Sequence, residues 1–262
     1  MILTLLYGAI VGLSLGLTGG GGSIFAVPLL IYGLGMDLRR AVAVSLAVVG
    51  LTALYGAILQ ARHGQVLWGA GALIGLGGIA AAPLGAWIGA GLSATVSMLL
   101  FAALMIFIGL RMLRQNPGGG EVPLEWMRCE RLPNGNPKFT WRCALKLLGV
   151  GVGTGILAGI FGVGGGFLVV PALLLVACSE INRALATSLV GIFLIAVSGF
   201  VANAHALSPA DVIPALQFLA GGAIGMTAGT WLKKGISPLV LQRIFGLAVL
   251  GTAVFLIVKN LG

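Results

Sequence analysis

Acidic residues are scarce in this chain of 262 residues: Asp and Glu together number six, against fifteen Lys and Arg. Charged residues make up 8% of the sequence and hydrophobic residues 59%, whereas a typical soluble domain is about 25% charged. A soluble fold could not cover so much apolar surface, which excludes a soluble protein. The sequence predicts an all-α polytopic membrane protein that lies in the lipid bilayer, because helices satisfy their own backbone groups there.

The chain also lacks the residues that most metal and catalytic sites need. It has two His and three Cys (Cys129, Cys143 and Cys178), and no metal-ligand spacing among them. We therefore expect unpaired thiols, no metal and no other cofactor. Motifs such as HExxH, GxSxG and the P-loop are missing, so an enzyme is not expected and no catalytic residue is assigned. No basic run is interleaved with aromatic residues, which argues against a nucleic-acid partner.

Long apolar runs fill most of the chain, and two of them are too long for one span. A straight span needs about 20 residues, but the first run would extend about 51 Å as a helix, against a hydrocarbon core of roughly 30 Å. Both over-long runs, the first and the fifth, carry a glycine cluster near the middle, which predicts a broken helix there. The runs are 1–34, 41–61, 65–92, 94–113, 144–178, 184–207, 210–232 and 238–258.

The two halves of the chain repeat each other. After a shift of 143 residues, "GLTGGGGSIFAVPLL" from Gly16 falls on "GIFGVGGGFLVVPAL" from Gly159, and the match continues through Arg40 and Arg183. Two homologous transmembrane repeats follow, 1–113 and 143–262, each with about four long helical segments, of which the first is broken. The polar segment 114–142 joins them as a linker. Its bases outnumber its acids, so the positive-inside rule places it in the cytoplasm.

The relative orientation of the repeats depends on the broken segments. If each crosses the membrane once, every repeat has four spans and the two are parallel. If each folds back as a hairpin, every repeat has an odd number of crossings and the two are inverted. The inverted arrangement puts Arg183 and the pair Lys233 and Lys234 inside, so the charge rule favours it.

The duplicated glycine clusters are the strongest candidates for a substrate site. A helix that starts inside the membrane presents free N–H groups and the positive end of its dipole, and glycine lets a backbone approach an anion closely. Few acids and many bases also suit an anion better than a cation. The candidates are Gly20, Gly21, Gly22 and Ser23 in the first cluster, where Ser23 could cap the next helix, and Val163, Gly164, Gly165 and Gly166 in the second.

Repeat-matched polar residues give weaker candidates for substrate binding. Arg40 and Arg183 could bind an oxyanion with their planar forks, or could mark the interface and pair with Asp37 and Glu180. Ser45 and Ser188 could line the pathway, Gln60 and Asn203 could hydrogen-bond a substrate, and His63 and His205 could carry protons. The serine pair could instead bond the carbonyls of its own helix, and the histidine pair could simply lie in solvent.

The duplicated "GxxGxGGGxxxxP" pattern, followed by a helix start such as "NRALATSL", resembles the sulfite exporter TauE/SafE family of membrane transporters. The second half fits best, while the first has "GGGGS" for "GVGGG" and "AVAVSL" for "ALATSL". The resemblance implies a secondary, proton-coupled carrier in the cytoplasmic (inner) membrane that moves sulfite or organosulfonates such as sulfoacetate. A passive anion channel and a carrier of another small organic or inorganic anion stay open, as do the direction of transport and a homodimer.

Overall fold

The computed structural model describes residues 2–114, 129, 140–176, 181–235 and 237–261, and these residues are helical with short connections and no strand. Five of the described helices are long and apolar enough to cross a membrane, which confirms the predicted all-helical membrane chain. The helices are α1 Ile2–Thr18, α2 Ser23–Pro28 with a π-helical turn Leu29–Gly33, α3 Leu38–Ala61, α4 Trp68–Gly91, α5 Ala94–Arg114, α6 Trp141–Phe161, α7 Gly166–Val176, α8 Ile181–Asn203, α9 Val212–Leu232 and α10 Pro238–Leu261.

Helices of the first half pack mainly on helices of the second half. The closest pairs are α1 with α9 and α4 with α6, and both pairs run parallel. Glycines allow their backbones to touch, because a side chain in these positions would hold the helices apart. Gly8 and Gly12 of α1 meet the backbone of Phe218 and Gly222, while Gly77 and Gly85 of α4 meet that of Leu148 and Ile156.

The two central helices, α3 and α8, run antiparallel. Gly56 of α3 packs on Leu189 of α8, and Leu46 packs on Gly199. These directions define two ends of the bundle. We call the end where α3 finishes and α6 begins the linker end, and the end where α3 begins the Arg40 end.

Both glycine clusters are places where the chain turns back. After α1 ends at Thr18, a Cβ on Gly22 would lie within 2.4 Å of the Leu15 backbone, and Gly33 lies against the ring of Tyr7. The segment from Ser23 to Gly33 therefore returns along α1. In the second half, Gly165 lies against Thr154 of α6, so α7 likewise turns back along the helix before it.

Candidate functional site

The two glycine breaks meet each other inside the bundle. A Cβ placed on Gly20 would lie 2.5 Å from the carbonyl oxygen of Gly166, and one on Gly166 would lie 2.7 Å from that of Gly20. Both residues are buried. The fold thus brings together the two clusters that sequence similarity paired, and their backbones are in direct contact.

Each break is also held by a serine of the opposite half. The hydroxyl of Ser45 on α3 donates to the Gly162 carbonyl at 2.7 Å, and that of Ser188 on α8 donates to the Gly19 carbonyl at 2.5 Å. Ser188 also bonds the Leu185 carbonyl of its own helix. Both serines are fully buried. Their donors are used within the protein, and sequence patterns gave no signal of this exchange between halves.

Six backbone N–H groups of the breaks have no acceptor among the described residues. Three consecutive residues in each glycine cluster donate no backbone hydrogen bond among those of the described residues, although all six residues are buried. Buried backbone donors are nearly always paired in native proteins. The six donors flank the junction of the two breaks, which is why this junction is the candidate site. They belong to Gly20, Gly21, Gly22, Val163, Gly164 and Gly165.

Ser23 takes a different role from the one expected. Its hydroxyl donates to the Gly20 carbonyl at 2.8 Å, its backbone N–H reaches the same oxygen, and α2 has no side-chain cap. The expectation of a serine cap is therefore wrong. The residue closes the turn, and the N–H groups before it are left free.

Arg40 does not pair with Asp37, as the sequence suggested, but with Asp211. Its guanidinium donates from Nη2 to Oδ1 at 2.7 Å and from Nε to Oδ2 at 3.0 Å, and the Asp211 carboxylate also accepts from the Ser208 N–H. Asp211 is buried and Arg40 is partly exposed. This bidentate ion pair joins the start of α3 to the turn before α9 at the Arg40 end.

Arg183, the residue that matches Arg40 in the second half, lies at the linker end. The position in the first half that matches Asp211 is Leu67, which has no carboxylate. The partner expected for Arg183, Glu180, lies outside the described residues.

The other matched polar residues are not brought together. Because α3 and α8 are antiparallel, His63 and Gln60 lie at the linker end, whereas His205 and Asn203 lie at the Arg40 end. Both histidines are exposed, and the Asn203 amide donates to the Gly199 carbonyl of its own helix. No single site can contain both members of either pair.

The expectation of unpaired thiols is wrong for two of the three cysteines. Cys129 of the linker and Cys143 in the first turn of α6 form a disulfide. The odd count and the unfamiliar spacing concealed it, because only the fold shows that Cys129 lies beside Cys143. Cys178 lies outside the described residues.

A cavity of about 520 Å³ lies apart from the glycine junction, between α1, the α2 hairpin and α10. Its lining is mostly apolar and aromatic, including Tyr7, Phe25, Tyr32 and Phe255. No residue of either glycine break lines this cavity, so it is separate from the candidate site at their junction.

Comparison with known proteins places the chain in a family. The model of the sulfite exporter TauE/SafE family matches residues 4–256. Probable membrane transporter proteins of Xylella fastidiosa strains Temecula1 and 9a5c are each 36% identical over 99% of this chain and 96% of their own length. A probable membrane transporter protein of Bacillus subtilis (strain 168) is 27% identical over 72% of this chain and 73% of its own. No solved structure matches. The chain is therefore a multi-pass membrane transporter, and it belongs to the TauE/SafE sulfite exporter family.

Proposed function

We propose that this transporter moves small sulfur-containing anions, such as sulfite and organosulfonates of the sulfoacetate kind, by alternating access across the cytoplasmic membrane. The observation that carries the proposal is the set of six backbone N–H groups, on buried residues, that have no acceptor among the described residues and flank the meeting of the two breaks. Clustered backbone N–H donors, as at helix N-termini, bind oxyanions without a formal charge of their own. A bound sulfo or sulfite group would supply the acceptors that this site lacks.

We also propose that the halves are inverted repeats about this site. In each half a hairpin is followed by three crossing helices, so the second half starts from the opposite end of the bundle. Carriers of this architecture bind substrate where broken helices meet near the midplane, and rock one bundle against the other. The reciprocal bonds Ser45 to Gly162 and Ser188 to Gly19 support such a two-fold relation.

Proton coupling, in this proposal, goes through the anion itself. Asp211 is the only buried acid among the residues with a described burial, and it is engaged by Arg40. Neither histidine lies in a site shared by both halves. A proton that travels with the substrate requires no further titratable group at the breaks.

Sulfite flux into proteoliposomes tests the proposal. Gly22→Leu and Gly165→Leu would press a side chain onto Leu15 and Thr154 of the helices beside the breaks, displace the backbone donors and are expected to abolish flux, whereas Gly153→Leu on α6 meets open space and is the matched control. Normal flux in folded Gly22→Leu and Gly165→Leu would contradict the site. Flux that neither saturates nor responds to a pH jump would indicate a passive channel instead.

A further inference from the structure

The disulfide between Cys129 and Cys143 stands at an end of the bundle that carries most of the positive charge. Twelve of the fifteen Lys and Arg belong to the linker end or to the linker itself, and three belong to the Arg40 end. The positive-inside rule therefore orients the linker end to the cytoplasm. The twelve are Arg62, Arg111, Arg114, Arg128, Arg131, Lys138, Arg142, Lys146, Arg183, Lys233, Lys234 and Arg243; the three are Arg39, Arg40 and Lys259.

A disulfide on the cytoplasmic side is not a lasting structural staple in most proteins. Cytosolic thiols are kept reduced, and the disulfides found there are mostly transient, catalytic or redox-sensing. The bond between Cys129 and Cys143 is therefore expected to be reactive. Its position, burial and neighbouring charge indicate which kind of nucleophile can attack it.

We propose that this disulfide is a modification site for sulfite, and the proposal rests on the transport function proposed above. A sulfite ion attacks the Cys129 sulfur, the S–S bond breaks, and the Cys143 sulfur leaves as a thiolate. The products are an S-sulfonate on Cys129 and a free thiolate on Cys143. No oxidant or reductant is consumed, and attack of the Cys143 thiolate on the S-sulfonate restores the disulfide and expels sulfite when its concentration falls.

The position of Cys143 decides which sulfur leaves. It lies in the first turn of α6, where its N–H donates to the Thr140 hydroxyl that caps the helix. A thiolate at a helix N-terminus is stabilised by the free N–H groups and the dipole. Thiol–disulfide exchange is faster when the leaving sulfur is the better stabilised thiolate, which favours attack on Cys129.

Burial and charge select a small anion. Cys129 is 8% exposed and Cys143 is 1% exposed, which hinders a bulky thiol such as glutathione more than a compact oxyanion. Arg142 directly precedes Cys143 in the chain and is exposed. Its positive charge raises the local concentration of a dianion, and the attraction weakens with salt.

The test uses the full chain in proteoliposomes, with Cys178→Ser so that Cys129 and Cys143 are the only cysteines. Parallel samples receive sulfite, sulfate at equal ionic strength, or glutathione; free thiols are then alkylated and the peptides are mapped by mass spectrometry. We expect S-sulfonate on Cys129 with alkylated Cys143 in the sulfite sample, several-fold less cleavage by glutathione, and an intact disulfide in sulfate. Removal of sulfite should restore the bond.

Three results would overturn the inference: an intact disulfide in sulfite while a detergent-denatured sample is cleaved, S-sulfonate mainly on Cys143, or free thiols on both residues already in sulfate. Sulfite flux is measured on the same liposomes and on a Cys129→Ser, Cys143→Ser double variant. Flux without cleavage would contradict this inference and leave the transport proposal standing. Cleavage at Cys129 without flux would support the reactive disulfide and contradict the transport proposal.

Discussion

The two glycine breaks both turn the chain back, but the φ angles of their glycines differ. In the first, only Gly19 has a positive φ, and Gly22 is helical at φ −60°. In the second, Gly162, Gly164 and Gly165 all have positive φ values between 64° and 70°. The first break needs glycine mainly because neighbouring atoms leave no room, and the second needs it largely because of conformation. Two glycine clusters of similar sequence can thus need their glycines for different physical reasons.

The largest expected effect concerns the contact that both breaks share. Gly20→Ala and Gly166→Ala each push a methyl group into the opposing backbone, which should cost about 3 kcal/mol of stability, as overpacking does, and abolish sulfite flux. Thermal unfolding in detergent and proteoliposome flux measure the two effects. Gly149→Ala on α6, which meets open space, should change neither. A large difference between Gly20→Ala and Gly166→Ala would show that the junction is not symmetric.

The next effect tests an unequal feature of the halves, the ion pair at the Arg40 end. Arg40→Met leaves the buried Asp211 carboxylate with the Ser208 N–H as its remaining described partner. Loss of the charged partner should cost about 2 kcal/mol. A second change, Asp211→Asn, should recover part of the loss in the double variant, because no unpaired charge is then buried. Equal stability of Arg40→Met and wild type in thermal unfolding would show that the pair is not needed.

A smaller effect separates conformation from space in the second break. Gly164→Ala places a Cβ in the left-handed region with 3.1 Å to Val49, and the conformation alone should cost about 1–2 kcal/mol. Gly35→Ala has a similar φ of 68° and open space around it, so it measures the conformational part. Equal losses in thermal stability would show that the left-handed conformation alone accounts for the cost at Gly164. A larger loss at Gly164 would show that the contact with Val49 contributes as well.

The smallest effect concerns Lys233, which stands where the first half has Gly89. Burial lowers the pKa of Lys233 to about 8, while an unfolded lysine titrates near 10.4. Between these values the unfolded chain binds more protons, so stability should rise as pH increases from about 8 to about 10. Lys233→Met should flatten that rise and increase the unfolding midpoint at neutral pH by on the order of 2 °C. A slope unchanged by the substitution would exclude Lys233 as its source.

Sequence reasoning predicted much of the fold because membrane helices can be recognised from the length and hydropathy of their apolar runs. The predicted run 94–113 became α5, Ala94–Arg114, and 65–92 became α4, Trp68–Gly91. It failed where the answer depends on contacts distant in the chain. Asp37 is close to Arg40 in sequence and was the natural partner, yet the turn before α9 brings Asp211 to it. The disulfide was missed for the same reason, since Cys129 and Cys143 are 14 residues apart in the chain and only the fold shows that they meet.

The sequence by itself determined that the chain is a helical membrane protein and which family it resembles, and it predicted that its halves are repeats, because these follow from composition and from local patterns. Only the tertiary structure decided that Gly20 lies on Gly166, that Ser45 and Ser188 hold the opposite breaks, and that the two histidines lie at opposite ends. Those relations arise because helices of one half pack between helices of the other, and no local pattern encodes which distant backbone a glycine will touch.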